Sequence, residues 1–180
     1  AASGVETLHI SFRHAKGRGL MDDQAAYLPL DEVAGATTFV DLSPMQRHAT
    51  CAGTACPTAG QPGQVGQAPA FDGSDDRLSL GNAELGGQGY TLAAWIKPDA
   101  TGGTRDIIYH GLGGSYRERN LFLRIKDGYY EFGERDHWDN VWIAQYEIPP
   151  GDAGQWVHIA GVRDAGWGTW KLYRNGNLAA

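Results

Sequence analysis

The clearest pattern along this chain is the alternation of apolar and polar residues that β-strands show. Near the N-terminus Leu8, Ile10 and Phe12 alternate with polar residues, which predicts a strand at about 7–13. Tyr90–Lys97 is apolar on both faces, as expected for a strand that is covered on both sides. Helix formers at a spacing of 3.6 residues are rare throughout, so the pattern indicates an all-β protein.

Further short segments with strand composition follow one another at the spacing of a β-sandwich. They are residues 27–30, 75–80, 107–110, 121–125, 129–132, 141–148, 156–163 and 170–174. Lys126-Asp127-Gly128 lies between two of them and is a hairpin signal. We therefore predict an antiparallel β-sandwich.

Two stretches lack the alternation. Residues 14–24 carry charges and glycines without periodicity, which predicts a linker. We therefore divide the chain into an N-terminal strand and linker at 1–25 and a main domain at 26–180. Residues 41–70 are rich in Gly, Pro, Ala, Thr and Gln, which predicts a long surface loop.

The C-terminal segment predicts a hairpin whose second strand is short. Residues 170–174 lead into Asn175-Gly176, which a type I′ turn favours because both central positions need positive φ. Only four residues follow, against the usual 5–6 of a strand. We expect a sheet that lacks its last strands here, completed after Ala180 either by downstream sequence or by a second polypeptide.

Composition narrows the class of protein. A length of 180 residues suits one domain, and 42% hydrophobic residues exclude a disordered chain. No apolar run approaches the ~20 residues of a membrane helix. A net charge of −6 with scattered Lys and Arg argues against nucleic acid as a partner. The 26 glycines and 11% aromatic residues fit tight turns between aromatic-rich strands.

Cys51 and Cys56 are the only cysteines, and four residues separate them in a loop-like stretch. A zinc site needs a second pair of ligands, and a redox motif needs two intervening residues. We therefore predict a local disulfide, which places the protein in an oxidising compartment, either secreted or at the cell surface.

Four blocks occur in an order that identifies a family resemblance. They are Ala70-Phe71-Asp72-Gly73-Ser74-Asp75-Asp76, Tyr90-Thr91-Leu92-Ala93-Ala94-Trp95-Ile96-Lys97-Pro98, Trp156-Val157-His158-Ile159-Ala160-Gly161-Val162 and Trp170-Lys171-Leu172-Tyr173-Arg174-Asn175-Gly176. From about residue 26 to the terminus the chain resembles the laminin G-like, concanavalin A-like jelly-roll family of bacterial secreted and surface proteins. The resemblance implies two stacked antiparallel sheets, further strands after the Asn-Gly turn, and usually binding rather than catalysis.

Asp72, Asp75 and Asp76 place three carboxylates within five residues at a junction of loop and strand. Calcium prefers several hard oxygen ligands of this kind, so we weigh a Ca²⁺ site here. The resemblance implies calcium in some family members and not in others. In the alternative, Asp72 caps its own turn while Asp75 and Asp76 are solvated.

A second group of residues mixes aromatic rings with polar side chains, as carbohydrate-binding surfaces do. Its members are Tyr116, Arg119, Asp136, His137, Trp138, Asn140 and Trp142. Sugar rings stack their C–H faces on aromatic planes while their hydroxyls bond polar groups. In the alternative, Trp142 faces inward together with Ala144, Tyr146 and Ile148. The other three strand tryptophans, Trp95, Trp156 and Trp170, are expected in the core in either case.

Glu134, Asp136 and Asp139 nearly match the three carboxylates of laminarinase-like glycosidases, which share the sandwich architecture. Asp139 is one methylene shorter than the glutamate expected there, so we rank catalysis below an exposed acidic loop. The sequence thus predicts a non-enzymatic binding or adhesion module of a larger exported bacterial protein, with a glycan as ligand. The alternative is an assembly domain whose sheet another chain completes.

Overall fold

The computed structural model describes residues 3–12 as backbone, and residues 24–81, 89–111, 120–136, 138–164, 166 and 168–180. This part of the chain forms β-strands and two short 3-10 turns, at Gly53–Ala55 and Pro150–Asp152. The strands are β1 Ser3–Phe12, β2 Gln24–Leu28, β3 Thr38–Phe39, β4 Ala49–Thr50, β5 Thr58–Pro62, β6 Gln67–Phe71, β7 Tyr90–Lys97, β8 Thr104–His110, β9 Asn120–Lys126, β10 Tyr129–Arg135, β11 Val141–Glu147, β12 Val157–Asp164, β13 Thr169–Arg174 and β14 Asn177–Leu178. Within these ranges no helix has the length and apolarity needed to span a membrane.

The strands form two antiparallel sheets that pack as a sandwich, which confirms the predicted fold class. The larger sheet has the order β14-β13-β12-β7-β1-β6-β5, with β2 paired to β1. The smaller sheet has the order β11-β10-β9-β8, and β3 and β4 form a separate two-stranded pair.

The N-terminal strand is part of the larger sheet rather than an appendage to it. β1 pairs with β7 along one edge, from Gly4 opposite Lys97 to Phe12 opposite Tyr90. Its other edge pairs with β2 and β6. Gln24, at the end of the predicted linker, already belongs to β2, and residues 14–23 lie outside the described residues. The domain boundary at residue 26 stays a prediction.

The core lies between the two sheets. Leu92, Ile159 and Leu172 of the larger sheet and Leu123 and Phe132 of the smaller sheet are all fully buried or nearly so. The sheets approach closely at Gly161, where a Cβ atom would lie 2.0 Å from Cγ of Phe132. Glycine is therefore the residue that lets the sheets come together at this point.

The predicted core positions of the tryptophans need correction. Trp95, Trp156 and Trp170 are half-buried. Trp95 lies on the outer face of β7, because Leu92, Ala94 and Ile96 occupy the core face and side chains alternate along a strand. Trp170 lies at the margin of the core, next to the start of β13.

The predicted surface loop at 41–70 is wrong in part. It contains β4, β5 and β6, and Ala49 and Ala59 are buried with Leu28, Leu30 and Phe39 in a second small core. The carboxylate of Asp41 is buried beside this core and accepts hydrogen bonds from the backbone of Tyr27, Ser43 and Arg47. Burial raises the pKa of Asp41, but the hydrogen bonds outweigh it and lower the pKa overall.

Two sequence predictions concern the segments that border this second core, and the structure contradicts the first and confirms the second. The strand expected at 75–80 is only an isolated bridge between Ser79 and Thr50. The disulfide between Cys51 and Cys56 is confirmed, and it encloses the 3-10 turn at Gly53–Ala55.

A polar bridge joins the two sheets at one end of the sandwich. The buried Tyr130 hydroxyl of β10 donates a 2.9 Å hydrogen bond to Asp152, in the second 3-10 turn. Arg174 of β13 donates from Nε and Nη2 to the two carboxylate oxygens of Asp152. The carboxylate of Asp152 thus links both sheets.

The C-terminal hairpin forms at the predicted turn. Asn175 and Gly176 have φ values of 48° and 80°, and β13 pairs with β14 on the other side of the turn. Asn175 also fixes the turn to β12, because its backbone N–H donates to the carbonyl of His158 and its Oδ1 accepts from the N–H of His158. Completion of the sheet by a second polypeptide stays a prediction.

Candidate functional site

Both sheets bring strand ends together at the end of the sandwich opposite Asp152. The strand pairing shows this, because Glu134 pairs with Trp142 in the smaller sheet. In the larger sheet Arg163 pairs with both Tyr90 and Trp170. We call this end of the sandwich the loop end, and it is defined by Tyr90, Glu134, Trp142, Arg163 and Trp170.

Two tryptophans stack across the sheets at the loop end. Trp142 of β11 and Trp170 of β13 have ring centroids 5.8 Å apart and an interplanar angle of 10°. Trp142 is 37% exposed, whereas Trp170 packs against the core. The buried indole N–H of Trp170 has no hydrogen-bond partner within the described part of the chain. Trp170 therefore supports one side of an indole ring that remains accessible to solvent.

The turn that joins β10 to β11 is held by its own carboxylate. Oδ1 of Asp136 accepts hydrogen bonds from the backbone N–H groups of Trp138 and Asn140, each at 2.9 Å. Oδ2 of Asp136 accepts from the side-chain amide of Asn140 at 3.0 Å. Asp139 completes the turn in the left-handed region with φ 63°. This turn presents Trp138, which is 72% exposed.

A buried ion pair lies beneath the stacked tryptophans. Glu134 is 2% exposed, and its Oε2 lies 3.4 Å from Nε of Arg163 and accepts from the Tyr90 hydroxyl at 3.4 Å. The guanidinium of Arg163 lies over the rings of Tyr90 and Trp170, with centroid distances of 5.9 and 5.6 Å. Arg163 thus couples the smaller sheet's carboxylate to the ring on which Trp142 stacks.

The three carboxylates of the glycosidase-like motif have different surroundings. Glu134 is buried between the sheets, and Asp136 holds its own turn. The Asp139 side chain is 85% exposed, 3.6 Å from Arg135. Hydrolysis with retention needs two carboxyl groups about 5 Å apart on either side of the bond that is cleaved. Glu134 is closed to a substrate and Asp136 is engaged by its own turn, which leaves Asp139 as the exposed carboxylate of the three.

The acidic cluster of Asp72, Asp75 and Asp76 does converge. One carboxylate oxygen from each lies within 4.8 Å of the others. Oδ1 of Asp72 accepts from the backbone of Ser74 at 2.8 Å, and this bond is the main reason that the pKa of Asp72 is lowered. Both predicted features, the capped turn and the clustered oxygens, are therefore present together.

The acidic cluster and the loop end lie far apart. The cluster follows β6, whose last residue Phe71 pairs with Ser3 at the start of β1. The loop end begins at Tyr90, which pairs with Phe12 at the end of β1. Nine residue-to-residue steps of extended strand lead from Ser3 to Phe12, a distance of about 30 Å at ~3.3 Å per step. A cation at the cluster would not touch a ligand at the loop end.

Four of the predicted ligand-binding residues lie together, because Asp136, Trp138, Asn140 and Trp142 share one hairpin. Tyr116, Arg119 and His137 lie outside the described residues. Sequence reasoning missed Trp170 and Arg163 as parts of this site. The feature of the sequence that could have indicated Trp170 is its position near the start of its strand. A large ring in such a position can reach the edge of the core.

Comparison with known protein families finds a match over most of the chain. The family model described as the concanavalin A-like lectin/glucanases superfamily, of laminin G type, matches residues 72–180. The match covers more than half of the chain, including the acidic cluster and the loop end. No curated protein and no solved structure was found to match the chain.

Proposed function

Because the chain belongs to the concanavalin A-like lectin/glucanase superfamily, we propose that it is an extracellular carbohydrate-binding module that holds a glycan at its loop end. Domains of this type bind ligands, carbohydrates among them. The observation that carries the proposal is the exposed pair Trp138 and Trp142 on one short hairpin. The disulfide between Cys51 and Cys56 supports the extracellular location. Adhesion as part of a larger exported bacterial protein belongs to the same proposal.

The loop end suits a sugar because its aromatic surface is both exposed and rigid. Stacking of Trp142 on Trp170 holds one ring in place, and the bonds to Asp136 hold the turn that carries Trp138. Ordering of loops on binding costs free energy, so a surface that is ordered beforehand binds more tightly. Asp136 uses both carboxylate oxygens within the turn. We therefore assign it the role of positioning Trp138 rather than of contacting the sugar.

A glycan array followed by calorimetry tests this proposal. Trp138→Ala and Trp142→Ala should each weaken binding of an array hit at least about fivefold, since an aromatic contact contributes ~1 kcal/mol. Tyr129→Ala is the matched control, because Tyr129 is also 37% exposed but lies at the far end of β10. A folded protein that binds no glycan would overturn the proposal, as would a hit that both tryptophan variants bind normally.

We also propose that Asp72, Asp75 and Asp76 hold Ca²⁺. Their converging oxygens support this assignment, and so does the frequent binding of calcium by laminin G-like domains. Since the cluster is about 30 Å from the loop end by strand length, calcium would stabilise the fold without contacting the glycan. Calcium should therefore raise Tm relative to chelator. Asp75→Asn should abolish this rise, whereas Asp139→Asn, an exposed control, should keep it; a Tm that calcium leaves unchanged contradicts the assignment.

A further inference from the structure

One edge of the smaller sheet is a regular strand that pairs on a single side. Within the described residues β11 pairs with β10 and with no other strand. The pairing runs without a shift of register along all 7 residues, from Val141 to Glu147. One row of backbone N–H and C=O groups along β11 is therefore left without a partner strand.

The hydrogen bonds at the two ends of this hairpin show which residues carry that row. The N–H of Asp136 donates to the carbonyl of Asn140, and the N–H of Ile148 donates to the carbonyl of Gly128. Bonded and non-bonded pairs alternate along an antiparallel ladder. The even-numbered residues of β11 therefore bond to β10, and the odd-numbered residues direct their N–H and C=O groups away from it. These outward residues are Val141, Ile143, Gln145 and Glu147.

The other edges of the two sheets, as far as the structure describes them, carry features that oppose further pairing. β8 is irregular in register and carries Arg105 next to Asp106, and β14 has 2 residues. β5 is irregular and ends in Pro62, and β2 accepts a further backbone bond from Leu42. Charge, proline, bulges, short length and coverage by a loop are the usual means of blocking an edge strand. β11 has none of these features except the charge of Glu147 at its end.

The side chains of β11 also favour pairing with another strand. Val141 and Ile143 are each 41% exposed, and Trp142 between them is 37% exposed. β-branched and aromatic side chains gain most from neighbours on an adjacent strand. β11 is therefore an accessible strand whose backbone and side chains both suit a further strand at its edge.

We propose that β11 is a self-association edge, where a second copy of this chain pairs its own β11 in antiparallel order. A two-fold axis at Ala144 uses the full length of both strands. Ile143 then lies opposite Gln145 of the second copy, and Val141 lies opposite Glu147 of the second copy. These are the outward residues, so each such pair exchanges two hydrogen bonds. The two smaller sheets become one continuous sheet across the axis.

The charges of this arrangement are complementary, which favours a second copy as the occupant. Val141 pairs on its other side with Arg135 of β10, so Arg135 and Glu147 of the second copy flank Val141 on the same face. Two strand spacings place their backbones ~10 Å apart, within reach of two long side chains. Arg135 is 52% exposed, and its contact with Asp139 is an exposed pair that holds it weakly. Opposite charges thus meet at both ends of the paired strands.

Sedimentation of the whole chain at concentrations from about 1 to 500 µM tests this inference. Pairing of a single strand buries a small interface, so we expect a monomer–dimer equilibrium with a dissociation constant of about 1–100 µM. Hydrogen exchange followed by NMR identifies the edge. The amides of Ile143 and Gln145 point outward, so their exchange should slow as the dimer forms.

Variants of β11 separate this edge from other contacts. Gln145→Pro removes an outward N–H and no bond to β10, so it should weaken dimerisation at least about tenfold. Gln145→Thr keeps the N–H and is the matched control. Glu147→Lys should weaken dimerisation about threefold or more, because it brings like charges together, and Arg135→Glu in the same chain should restore it.

The outcomes decide the proposal without reference to any ligand. A chain that stays monomeric at the highest concentration would overturn it. A dimer in which the Ile143 and Gln145 amides exchange as fast as in the monomer would also overturn it, as would a folded Gln145→Pro that dimerises normally. Circular dichroism establishes that Gln145→Pro is folded; if it is not, the loss with Glu147→Lys and the recovery with Arg135→Glu decide, and their absence would overturn the edge.

Discussion

The replacement Gly161→Ala tests how closely the two sheets pack. The added Cβ would lie 2.0 and 2.1 Å from Cγ and Cδ2 of Phe132, whereas ordinary contacts fall at 3.4–4 Å. Relief therefore needs a shift of about 1.4 Å, the difference between these distances. Phe132 is fully buried, and Gly161 lies between Leu92 and Leu172 in the middle of the larger sheet, so neither side can move alone.

Known effects of overpacking set bounds on the unfolding free energy that Gly161→Ala should lose. An extra methyl group in a filled core costs about 1–3 kcal/mol. Replacement of glycine stabilises by about 0.4–1 kcal/mol through the unfolded chain, which offsets part of this cost. Because both neighbouring strands are fixed, we expect a net loss near 2 kcal/mol in the free energy of unfolding. Urea unfolding followed by tryptophan fluorescence measures the loss, and Gly151→Ala, where nothing lies within 4 Å, is the control.

A double variant makes this prediction sharper. Phe132→Ala alone should cost about 3–5 kcal/mol, because it leaves a cavity. In combination with Gly161→Ala the new methyl group occupies part of that cavity, so the double variant should lose less stability than the sum of the two. A Gly161→Ala protein as stable as the Gly151→Ala control, or strictly additive losses, would refute the close contact between the sheets at this point.

Three further predictions concern single side chains. Tyr130→Phe should lower the free energy of unfolding by about 1.5 kcal/mol, because it removes one hydrogen bond to Asp152. Asp152→Ala should lower it by about 3 kcal/mol or more, because Arg174 then loses its bidentate partner. Equal losses for the two variants in urea unfolding would contradict the bridge. The lowered pKa of His158 means that the unfolded chain binds its proton more readily, so stability should fall as pH drops below about 6.5. His158→Gln should flatten that part of the stability profile, and an unchanged profile would refute the assignment. Asp136→Ala should weaken glycan binding while leaving Tm within about 2 °C, because only the exposed turn loses its bonds; normal affinity would show that Trp138 needs no fixed turn.

The sequence predicts those elements whose pattern is local. Alternation identifies β7 and β12, and Asn175-Gly176 identifies the last hairpin, because one dipeptide dictates the backbone of that turn. The small core around Phe39 was missed. Its strands β3 and β4 have two residues each, too few for periodicity, and the buried Asp41 looks like a loop residue in sequence.

In the candidate sites, too, the sequence predicts only features that depend on neighbouring residues. A strand that is apolar on both faces gives no sign of which face is inward, so Trp95 was expected in the core although it faces outward. The contact of Trp142 with Trp170 joins different sheets, and no local pattern encodes a contact of that kind. Clustered residues such as Asp136 and Trp138 were found because they are neighbours in sequence. Their roles depended on hydrogen bonds that only the folded turn displays.

The separation of the candidate sites has a functional consequence. The acidic cluster and the loop end lie at opposite ends of β1. Calcium binding at the cluster and glycan binding at the loop end should therefore be thermodynamically independent, or nearly so. Saturating Ca²⁺ should change glycan affinity less than about twofold.

Calorimetric titration of the strongest glycan from the array into the wild-type chain, Trp142→Ala and Tyr129→Ala decides whether the loop end holds a glycan. Trp142 and Tyr129 are both aromatic and equally exposed, but they lie at opposite ends of the sandwich. We expect Trp142→Ala to lose at least about fivefold in affinity, near 1 kcal/mol, and Tyr129→Ala to bind as the wild type does. Equal affinities for all three proteins would contradict a glycan site at the loop end.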